Sequence, residues 1–343
     1  MLLTERKTQH LDIVMSGRAR QLGGGSAFDD VVFEHVALPE LDLDQISLHT
    51  QFLGKRINAP LIVSSMTGGP ERAATINRNI ALACQHLGIA MAVGSQRIAI
   101  EAGGASGLGK ELRQLAPSVP LLGNFGAAQL NKGFGLDQAR RAVEMIDADA
   151  LIIHLNPLQE AVQAEGDHDW RGLLPKIETL ARGLGLPIVV KEVGAGISAR
   201  LARQLVDVGV AVIDVAGAGG TSWAAVEAER SPTPRQAAVA RAFANWGQPT
   251  PQGLRLVRAA CPEATIIGSG GIRDGIDAAK AIRLGADIVG QAAGALAAAI
   301  ESAEAVIEHF EIVIKQLQIA CFCTGSGSIE ALRTASLTEG AFA

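Results

Sequence analysis

From Pro60 onward, short apolar segments alternate with amphipathic segments of helical length, and this alternation restricts the possible folds more than any other feature. The apolar runs of strand length are Leu61–Ser65, Ile89–Gly94, Pro120–Asn124, Ala150–Leu155, Pro187–Val193, Ala211–Ala216, Ala264–Ser269 and Ala286–Gln291. Helical segments between them include Ala73–Leu87, Leu136–Ile146, Ile197–Val208 and Asp274–Leu284. Near-continuous apolar runs predict parallel strands that are buried on both faces. Eight such units in succession predict an α/β fold, a closed (β/α)8 barrel (TIM barrel), rather than an open doubly wound sheet.

The residues before this alternation lack a strand and helix rhythm. We therefore predict an N-terminal extension, residues 1–57, that covers the barrel mouth and contributes to the substrate site. Residues 58–343 are predicted to form a single catalytic barrel domain. The extension opens with a short amphipathic segment, Thr4–Met15. A long gap between Ala216 and Ala264 predicts a large loop with one extra helix, an insertion of the kind that folds over a barrel mouth.

Composition limits the classes of partner. The residues are 48% hydrophobic and 19% charged, and the net charge of −5 offers no basic field for nucleic acid. The four cysteines do not have the spacing of a zinc site, so a reduced, cytoplasmic protein is expected. The longest apolar stretch is too short to span a bilayer and the first residues do not resemble a secretion signal, so no membrane association is expected.

Polar side chains cluster where the apolar runs end. The run Ala150–Leu155 is followed by Pro157, and the sequence around this proline supplies His154, Asn156, Gln159 and Glu160. Burying these side chains without partners would be costly, so they require a polar environment. All eight runs end in polar or glycine-rich segments, and the carboxyl ends of barrel strands meet at one face. The sequence therefore predicts an active site at this face.

Glycine-rich loops follow the last strands. Gly270 and Gly271 precede Arg273 and open the predicted helix Asp274–Leu284, where backbone amides favour an anion. Barrels commonly bind phosphate at the loops after the seventh and eighth strands. A third flexible loop, 217–221, adds the hydroxyl of Thr221 but lacks dinucleotide-binding spacing. These loops predict a site for a phosphorylated cofactor.

Two charged residues in this set allow more than one role. Lys191 ends an apolar strand, and a lysine there is either a Schiff-base nucleophile or a cation beside an anionic ring or phosphate. Glu160 fits a Mg²⁺ ligand, since Mg²⁺ binds one or two carboxylates together with substrate phosphates and water. A solvated carboxylate at the start of a loop is the alternative for Glu160.

With these residues in view, the chain resembles the type 2, FMN-dependent isopentenyl diphosphate isomerases over essentially its whole length. The resemblance rests on motifs in a fixed order: Arg6-Lys7 with His10, Met66-Thr67-Gly68-Gly69, Gly94-Ser95-Gln96-Arg97, Gly123-Asn124, His154 through Glu160, Glu165-Gly166-Asp167, Val190 through Gly194, Asp214 through Trp223, and Ser269-Gly270-Gly271. Many motifs in one order are a specific signal, whereas a single glycine pair is not.

The resemblance implies a barrel that interconverts isopentenyl and dimethylallyl diphosphate with reduced FMN, with NAD(P)H (NADPH) as the reductant, and with Mg²⁺. It implies FMN contacts from Ser65, Met66, Thr67, Ser95, Asn124, Lys191 and Thr221. It implies phosphate contacts from Gly270, Gly271, Arg273, Ala292 and Ala293. It implies a substrate site lined by Arg6, Lys7, Ser95, Gln96, Arg97, His154, Asn156 and Gln159, with Glu160 on the metal. Many relatives carry serine where Ala216 stands, and relatives form homo-oligomers, tetramers or octamers.

The expected reaction moves a proton and a double bond with no net redox change. Neither a histidine nor an amide is acidic enough to protonate an unactivated alkene alone. We hypothesise that reduced flavin acts as the acid and base, with Lys191 stabilising the anionic ring. Gln159 would orient or relay the second proton, and His154 would lie beside the reacting atoms. Arg6, Lys7, Arg97 and Mg²⁺ match the charge of a diphosphate.

Three other functions remain open from the residues alone. The first is an FMN-dependent dehydrogenase or oxidase of 2-hydroxy acids, which would need a histidine and arginine pair near the sixth and seventh strands. The second is a Schiff-base aldolase centred on Lys191. The third is a flavin-binding protein without catalytic activity, which the many strand-end polar groups disfavour.

Overall fold

Eight parallel strands close into a barrel, which confirms the predicted (β/α)8 fold. The computed structural model describes residues 3–17, 26–66, 71–102 and 107–338, and for residues 3–8, 71 and 72 it describes only the backbone. A short hairpin, β1 (Thr50–Phe52) and β2 (Lys55–Ile57), precedes the barrel. The barrel strands are β3 (Leu61–Val63), β4 (Ala90–Ala92), β5 (Leu121–Gly126), β6 (Ala150–Leu155), β7 (Ile188–Glu192), β8 (Val212–Asp214), β9 (Thr265–Ser269) and β10 (Ile288–Gln291).

The helices of the described residues lie before, between and after the strands. They are α1 (Leu3–Met15), α2 (Glu71–Leu87), α3 (Arg97–Ala102), α4 (Glu111–Leu115), α5 (Leu136–Ile146), α6 (Pro157–Val162), α7 (Leu173–Gly183), α8 (Ala199–Asp207), α9 (Trp223–Arg230), α10 (Pro234–Arg241), α11 (Thr250–Ala260), α12 (Gly275–Arg283), α13 (Ala293–Glu301), α14 (Ala303–Cys323) and α15 (Ile329–Leu332). Short 3-10 turns occupy Ala27–Asp30, Leu43–Gln45 and Ala127–Lys132. Nowhere in this part of the chain is a helix long and apolar enough to cross a membrane.

The barrel interior is apolar near the start of the strands and polar near their carboxyl ends. Ile152, Val189, Val212 and Ile267 point inward and form one buried cluster. Side chains alternate along a strand, so the residue two positions later on each strand points inward as well. A second cluster joins the outward faces of the strands to the surrounding helices. The carboxyl ends therefore present a ring of side chains above an apolar base.

The hairpin closes the amino-terminal end of the barrel. Phe52 and Ile57 belong to the same buried cluster as the inward-pointing strand residues. Lys55 Nζ lies 2.7 Å from the Asp149 carboxylate and donates to the carbonyl of Val119. Asp149 directly precedes β6, and Val119 lies shortly before β5. The predicted extension is thus divided, because this hairpin lies at the amino end while α1 contacts α9 beside the carboxyl ends of the strands. Its contribution to the substrate site, and the division at residue 57, stay predictions.

Replacing Phe52 by alanine is expected to lower the free energy of unfolding by about 3–5 kcal/mol, because a buried phenylalanine is lost and a cavity is left. Phe52 is only 3% exposed at the base of the barrel. Urea denaturation followed by circular dichroism would measure the effect. Leu38, which is 77% exposed, supplies the control, since Leu38→Ala should change stability by less than about 0.5 kcal/mol. Equal effects of the two substitutions would contradict a plug formed by the hairpin.

The insertion after β8 contains two helices, α9 and α10, before the barrel helix α11, whereas the sequence predicted one extra helix. Ser222 caps α9 by accepting a hydrogen bond from the backbone of Ala225, and Thr233 caps α10 in the same way from Gln236. Each cap accepts a hydrogen bond from a backbone amide in the first turn of its helix, so the insertion forms two separate helices. This arrangement brings α9 next to α6 and α1.

Candidate active site

A polar layer lies on the inner face of the barrel at the carboxyl ends of the strands. His154, Lys191 and Asp214 are register partners on β6, β7 and β8, and their side chains therefore point inward at the same level. Ser269 on β9 and Asn124 on β5 extend the layer. The layer combines a carboxylate, an ammonium, an imidazole, an amide and a hydroxyl in one ring. This is the face at which the sequence predicted a site.

The imidazole of His154 is oriented by a neighbouring amide. Its Nδ1 lies 2.9 Å from Asn124 Oδ1. Asn124 Nδ2 donates to the carbonyl of Val93, so the other end of the amide is the acceptor that faces the ring. The proton is accordingly assigned to Nδ1 of His154. The histidine and Asn124, both predicted site residues, are thus held together in a defined geometry.

Lys191 is held in the interior by two neighbours. Its Nζ donates to the carbonyl of Glu192 at 2.7 Å and lies 3.8 Å from Asp214 Oδ2. Asp214 Oδ1 accepts a hydrogen bond of 2.6 Å from the hydroxyl of Ser269. Burial raises the pKa of Asp214 above its usual value, although the charge of Lys191 acts in the opposite direction. A buried ion pair therefore lies at the base of the site.

The loop after β7 is organised by a buried carboxylate. Glu192 Oε2 accepts hydrogen bonds from the backbone amides of Val193, Gly194, Ala195 and Gly196. Burial raises the pKa of Glu192, while these amides and Lys191 oppose the shift. One carboxylate oxygen is thus occupied by four backbone amides, and Glu192 shapes the loop after β7.

The residues at the start of α6 form a second polar cluster just above the layer. Asn156 Nδ2 donates to Gln159 Oε1 at 3.1 Å and to Glu160 Oε1 at 2.9 Å. The other oxygen of Glu160 accepts from the backbone amide of Asp167 at 2.8 Å. Among the described residues, no group of three or more His, Cys, Asp or Glu side chains forms a metal site. A Mg²⁺ ion bound by Glu160 would therefore need further ligands such as substrate phosphates and water.

A carboxylate from α9 joins this cluster, and the sequence did not predict it. Glu227, which is 2% exposed, accepts from Gln159 Nε2 at 3.2 Å and contacts His10 Nε2 at 2.9 Å. Arg230 donates to its other oxygen at 2.5 Å. Burial alone would raise the pKa of Glu227, but the hydrogen bond and charge of His10, with Arg230 and Gln159, hold it below its usual value. The N-terminal helix is thus connected to the α6 cluster through one buried carboxylate.

This geometry predicts an acid-dependent loss of stability. A carboxylate with a lowered pKa in the folded state contributes stability above its unfolded pKa, and that contribution is lost as the pH falls through the lower folded value. We expect the contact between α1 and α9 to weaken below about pH 4. Urea denaturation from pH 6 to pH 3 would measure this, and the Glu227→Gln variant should show a smaller dependence on pH. If the free energy of unfolding changed with pH by the same amount in both proteins, the prediction would be wrong.

Two backbone loops approach each other too closely for side chains at the predicted phosphate site. A Cβ on Gly270 would overlap the backbone of Gly217, and a Cβ on Gly220 would lie 2.9 Å from the amide nitrogen of Gly271. Thr250 Oγ1 donates to the carbonyl of Gly270 at 2.7 Å and holds the loop. We call the loops 217–220 and 270–271 the glycine cradle. Glycines allow the two backbones to approach each other, and Gly219, Gly270 and Gly271 also have positive φ angles that favour glycine.

The second half of the predicted phosphate site begins α13. Ala292 is the N-cap of this helix and makes no side-chain cap. Gln291 Nε2 donates to the carbonyls of Ile272 and Arg273, and its Oε1 lies 2.6 Å from His309 on α14. This amide ties the loop after β9 to the end of β10. His309 is a structural contributor that the sequence did not indicate, whereas Gln291 ends the eighth predicted apolar run.

Two predicted site residues have side chains that are engaged within the protein. Gln96 is 0% exposed, its Nε2 donates to the carbonyl of Ala142, and its Oε1 accepts from the backbone amide of Asn124. Both ends of this amide fix the loop to β5 and α5, and substrate contact by Gln96 stays a prediction. The guanidinium of Arg273 pairs with Asp277 and Asp29, and phosphate contact by Arg273 also stays a prediction.

Some of the remaining predicted site residues lie at the mouth of the barrel, and others lie outside the residues that the structure describes. Arg97 pairs with Glu101 and lies 3.7 Å from Asp167, next to Glu160. Ser95, Met66 and Thr221 are partly buried on loops that follow strands. The side chains of Arg6 and Lys7, and all of Thr67, lie outside the described residues. The α1 backbone nevertheless places positions 6 and 7 one turn from His10.

Two buried hydroxyls near the layer make no hydrogen bond to any residue that the structure describes. Ser64 and Ser65 follow β3, and each Oγ is buried without a hydrogen bond among the described residues. A buried polar group without a partner is unfavourable unless a ligand or water satisfies it. Together with the glycine cradle and Lys191, these hydroxyls fit a polar, phosphorylated ligand such as FMN. Ser65 is one of the residues predicted to contact FMN.

The fold and this site define an FMN-dependent barrel, and comparisons with known proteins agree. Residues 138–339 match the family model of the FMN-dependent dehydrogenases. A mandelate oxidase variant with an FMN adduct superimposes with a TM-score of 0.66, covering 98% of this chain and 100% of that chain at 16% identity, which shows the shared fold.

Closer relatives identify the family. Isopentenyl-diphosphate delta-isomerase of Stutzerimonas stutzeri is 63% identical over 98% of this chain and 97% of its own length. The protein of the same name from Xanthobacter autotrophicus is 60% identical over 97% of this chain and 96% of its own. The chain belongs to the type 2, FMN-dependent isopentenyl-diphosphate isomerase family.

Proposed function

We propose that this protein interconverts isopentenyl and dimethylallyl diphosphate by a 1,3-allylic proton shift, with reduced FMN and Mg²⁺. The observation that carries the proposal is the meeting of three features at one mouth: the polar layer around Lys191, the glycine cradle, and the α6 cluster with Glu227. The relatives at up to 63% identity, which carry the isomerase name, support the same reaction. NADPH as reductant, a tetrameric or octameric assembly and a cytoplasmic location remain part of the proposal.

The cofactor supplies the group that donates and accepts the proton on the alkene. The chain would hold FMN by its phosphate at the glycine cradle and the start of α13, through Gly270, Gly271, Ala292 and Ala293. Ser65, Asn124, Thr221 and Lys191 would contact the rest of the molecule. The ammonium of Lys191 lies at the base of the site, where it would stabilise negative charge on the reduced ring.

The substrate carries a charged diphosphate and a small apolar tail. Glu160 would bind Mg²⁺ that also binds the diphosphate, since Mg²⁺ prefers carboxylate and phosphate oxygens. Arg97 beside Asp167 lies near Glu160, and Arg6 and Lys7 belong to the helix that His10 connects to Glu227. Binding the diphosphate would place the tail over the polar layer. Ser95, His154, Asn156 and Gln159 would line this space.

The second proton requires a residue opposite the flavin. The amide of Gln159 is a poor acid or base, but it donates to Glu227, whose lowered pKa keeps the carboxylate ionised at neutral pH. We propose that Glu227 and Asn156 together orient the amide of Gln159: Gln159 donates to Glu227, its oxygen accepts from Asn156, and the second lone pair of that oxygen would accept from the substrate or a bound water. His154, oriented by Asn124, would define the other wall of the site. These roles require no net oxidation of the substrate.

Glu160→Gln is expected to raise the Mg²⁺ concentration for half-maximal activity by about 10- to 100-fold, because a charged ligand becomes a neutral one. Titrating activity with MgCl₂ at saturating substrate would measure the shift. Glu165→Gln, a nearby loop carboxylate outside the α6 cluster, is the matched control and should leave the titration unchanged. An unchanged titration for Glu160→Gln would remove Glu160 as a ligand.

The function is tested by anaerobic incubation of the purified flavoprotein with isopentenyl diphosphate, Mg²⁺ and NADPH, followed by detection of dimethylallyl diphosphate. Product that forms only when the flavin is reduced supports the proposal. Flavoprotein that leaves this substrate unchanged but oxidises a 2-hydroxy acid would favour the oxidoreductase alternative, to which the mandelate oxidase fold corresponds. Borohydride trapping of a substrate on Lys191 would favour the aldolase alternative.

A further inference from the structure

A buried carboxylate lies beside Lys191, and the proposed reaction assigns it no part. Asp214 ends β8 and is 3% exposed. Its Oδ2 lies 3.8 Å from Lys191 Nζ, and its Oδ1 accepts from Ser269 at 2.6 Å. Two side chains face Lys191 from the adjacent strands, His154 on β6 and Asp214 on β8. Of these two, Asp214 is the one that carries a carboxylate.

Asp214 also contacts the backbone that leads into the glycine cradle. The backbone amide of Ala216, a residue with a left-handed φ of 40°, lies close enough to Asp214 to lower the pKa of its carboxyl against the effect of burial. A non-glycine residue in this conformation costs free energy and needs support from its surroundings. Ser269, its other partner, directly precedes Gly270. One carboxylate thus joins Lys191, the turn before Gly217 and the end of β9.

We propose that Asp214 is a positioning residue that anchors the Lys191 ammonium and, by cancelling its charge, sets how easily bound FMN is reduced. This inference rests on the proposed position of Lys191 beside the flavin ring. Reduced flavin gains negative charge, so a net positive charge beneath the ring favours reduction and a neutral ion pair favours it less. Asp214 therefore holds the reduction potential of the flavin below the value that Lys191 alone would produce.

The test is the midpoint potential of the FMN-loaded protein, measured by anaerobic spectroscopic titration against a reference dye. Asp214→Asn keeps the shape of the side chain and removes its charge. We expect the ratio of reduced to oxidised flavin at a fixed potential to rise at least about tenfold, a positive shift of about 30 mV for two electrons. Lys191→Met should shift the potential in the opposite direction.

A double-mutant cycle separates this role from a general effect on packing. In the Lys191→Met background the carboxylate loses its counter-charge, and a buried acid without one becomes neutral. Asp214→Asn should then change the potential much less than it does in the parent protein. Ser269→Ala, which removes a hydrogen bond but no charge, is the matched control and should cause only a small shift.

A second variant keeps the test decisive if Asp214→Asn does not retain FMN. The Asp214→Ser/Ser269→Asp double variant exchanges the acid and the hydroxyl between β8 and β9 and keeps one negative charge near Lys191. It should hold the potential close to that of the parent protein. A shift in this variant as large as that expected for Asp214→Asn, or an unchanged potential in Asp214→Asn itself, would overturn the role of Asp214. No effect of Lys191→Met would instead overturn the proposed position of Lys191.

Discussion

Gly270→Ala is expected to raise the dissociation constant for FMN by about two orders of magnitude, which corresponds to about 3 kcal/mol. Two costs combine at this position. The φ of Gly270 is 99°, a conformation that alanine adopts only with strain, and the new Cβ would overlap the backbone of Gly217. The two loops of the glycine cradle would have to separate, and the phosphate would lose backbone amides from one of them. Quenching of FMN fluorescence on binding to the apoprotein would measure the change.

The control for Gly270 is a glycine with the same backbone strain and no steric overlap. Gly209 has a φ of 95°, and a Cβ there would lie 3.6 Å from the Cβ of Ala181, an ordinary contact. Gly209 precedes β8 at the amino end of the barrel, far from the cradle. Gly209→Ala should lower stability by about 1–2 kcal/mol and leave FMN affinity unchanged. Similar losses of affinity in both variants would indicate that backbone strain alone, and not the approach of the loops, governs FMN binding.

Glu227→Gln is expected to lower kcat by about 100-fold or more, within the range for a misplaced proton-transfer group. The carboxylate of Glu227 accepts from Gln159 and contacts His10 through one oxygen, and it accepts from Arg230 through the other. A glutamine has a single acceptor oxygen and an NH₂ group that can only donate, so it cannot make all of these contacts. Gln159 would lose its orientation, and α1 would lose its charged partner. Steady-state kinetics with saturating Mg²⁺ would measure the effect.

The comparison for Glu227 lies two residues along the same helix. Glu229 pairs at 3.7 Å with Arg241 on α10, away from Gln159. Glu229→Gln should leave kcat within about twofold, since a partly exposed ion pair contributes little free energy. A change in the Mg²⁺ requirement, in place of a change in kcat, would show that Glu227 supports the metal site and not Gln159. Undiminished turnover of Glu227→Gln would remove it from the proposed mechanism.

Several site residues could be predicted because strand ends converge in a parallel barrel. His154, Lys191 and Asn124 were placed at the carboxyl face from their positions in apolar runs, and the structure brings them into one inward-facing layer. Glu160, Asn156 and Gln159 follow β6 directly and remain together at the start of α6. Proximity along the chain was sufficient for this group, because a short helical turn keeps such neighbours on one side.

Other features depended on contacts between distant segments. Gln96 follows a strand end as the other predicted site residues do. Its buried amide donates to the carbonyl of Ala142, which lies 46 residues further along the chain, and the sequence did not indicate this contact. Glu227 lies in an insertion whose helices carry no strand-end signal, and it reaches Gln159 only because α9 packs on α6. The direction of a loop side chain depends on which backbone groups remain unsatisfied nearby, and these are known only after folding.

The sequence by itself determined the barrel, the face that carries the site and the glycine loops suited to a phosphate. Strand and helix periodicity is local, and the closure of eight parallel units follows from burial of both strand faces. Tertiary structure alone decided that the hairpin closes the amino end, that α1 meets the α6 cluster through Glu227, and that Asp214 lies opposite Lys191. These pairings join segments far apart in the chain, and their partners are selected by packing and by the cost of leaving buried charges unpaired.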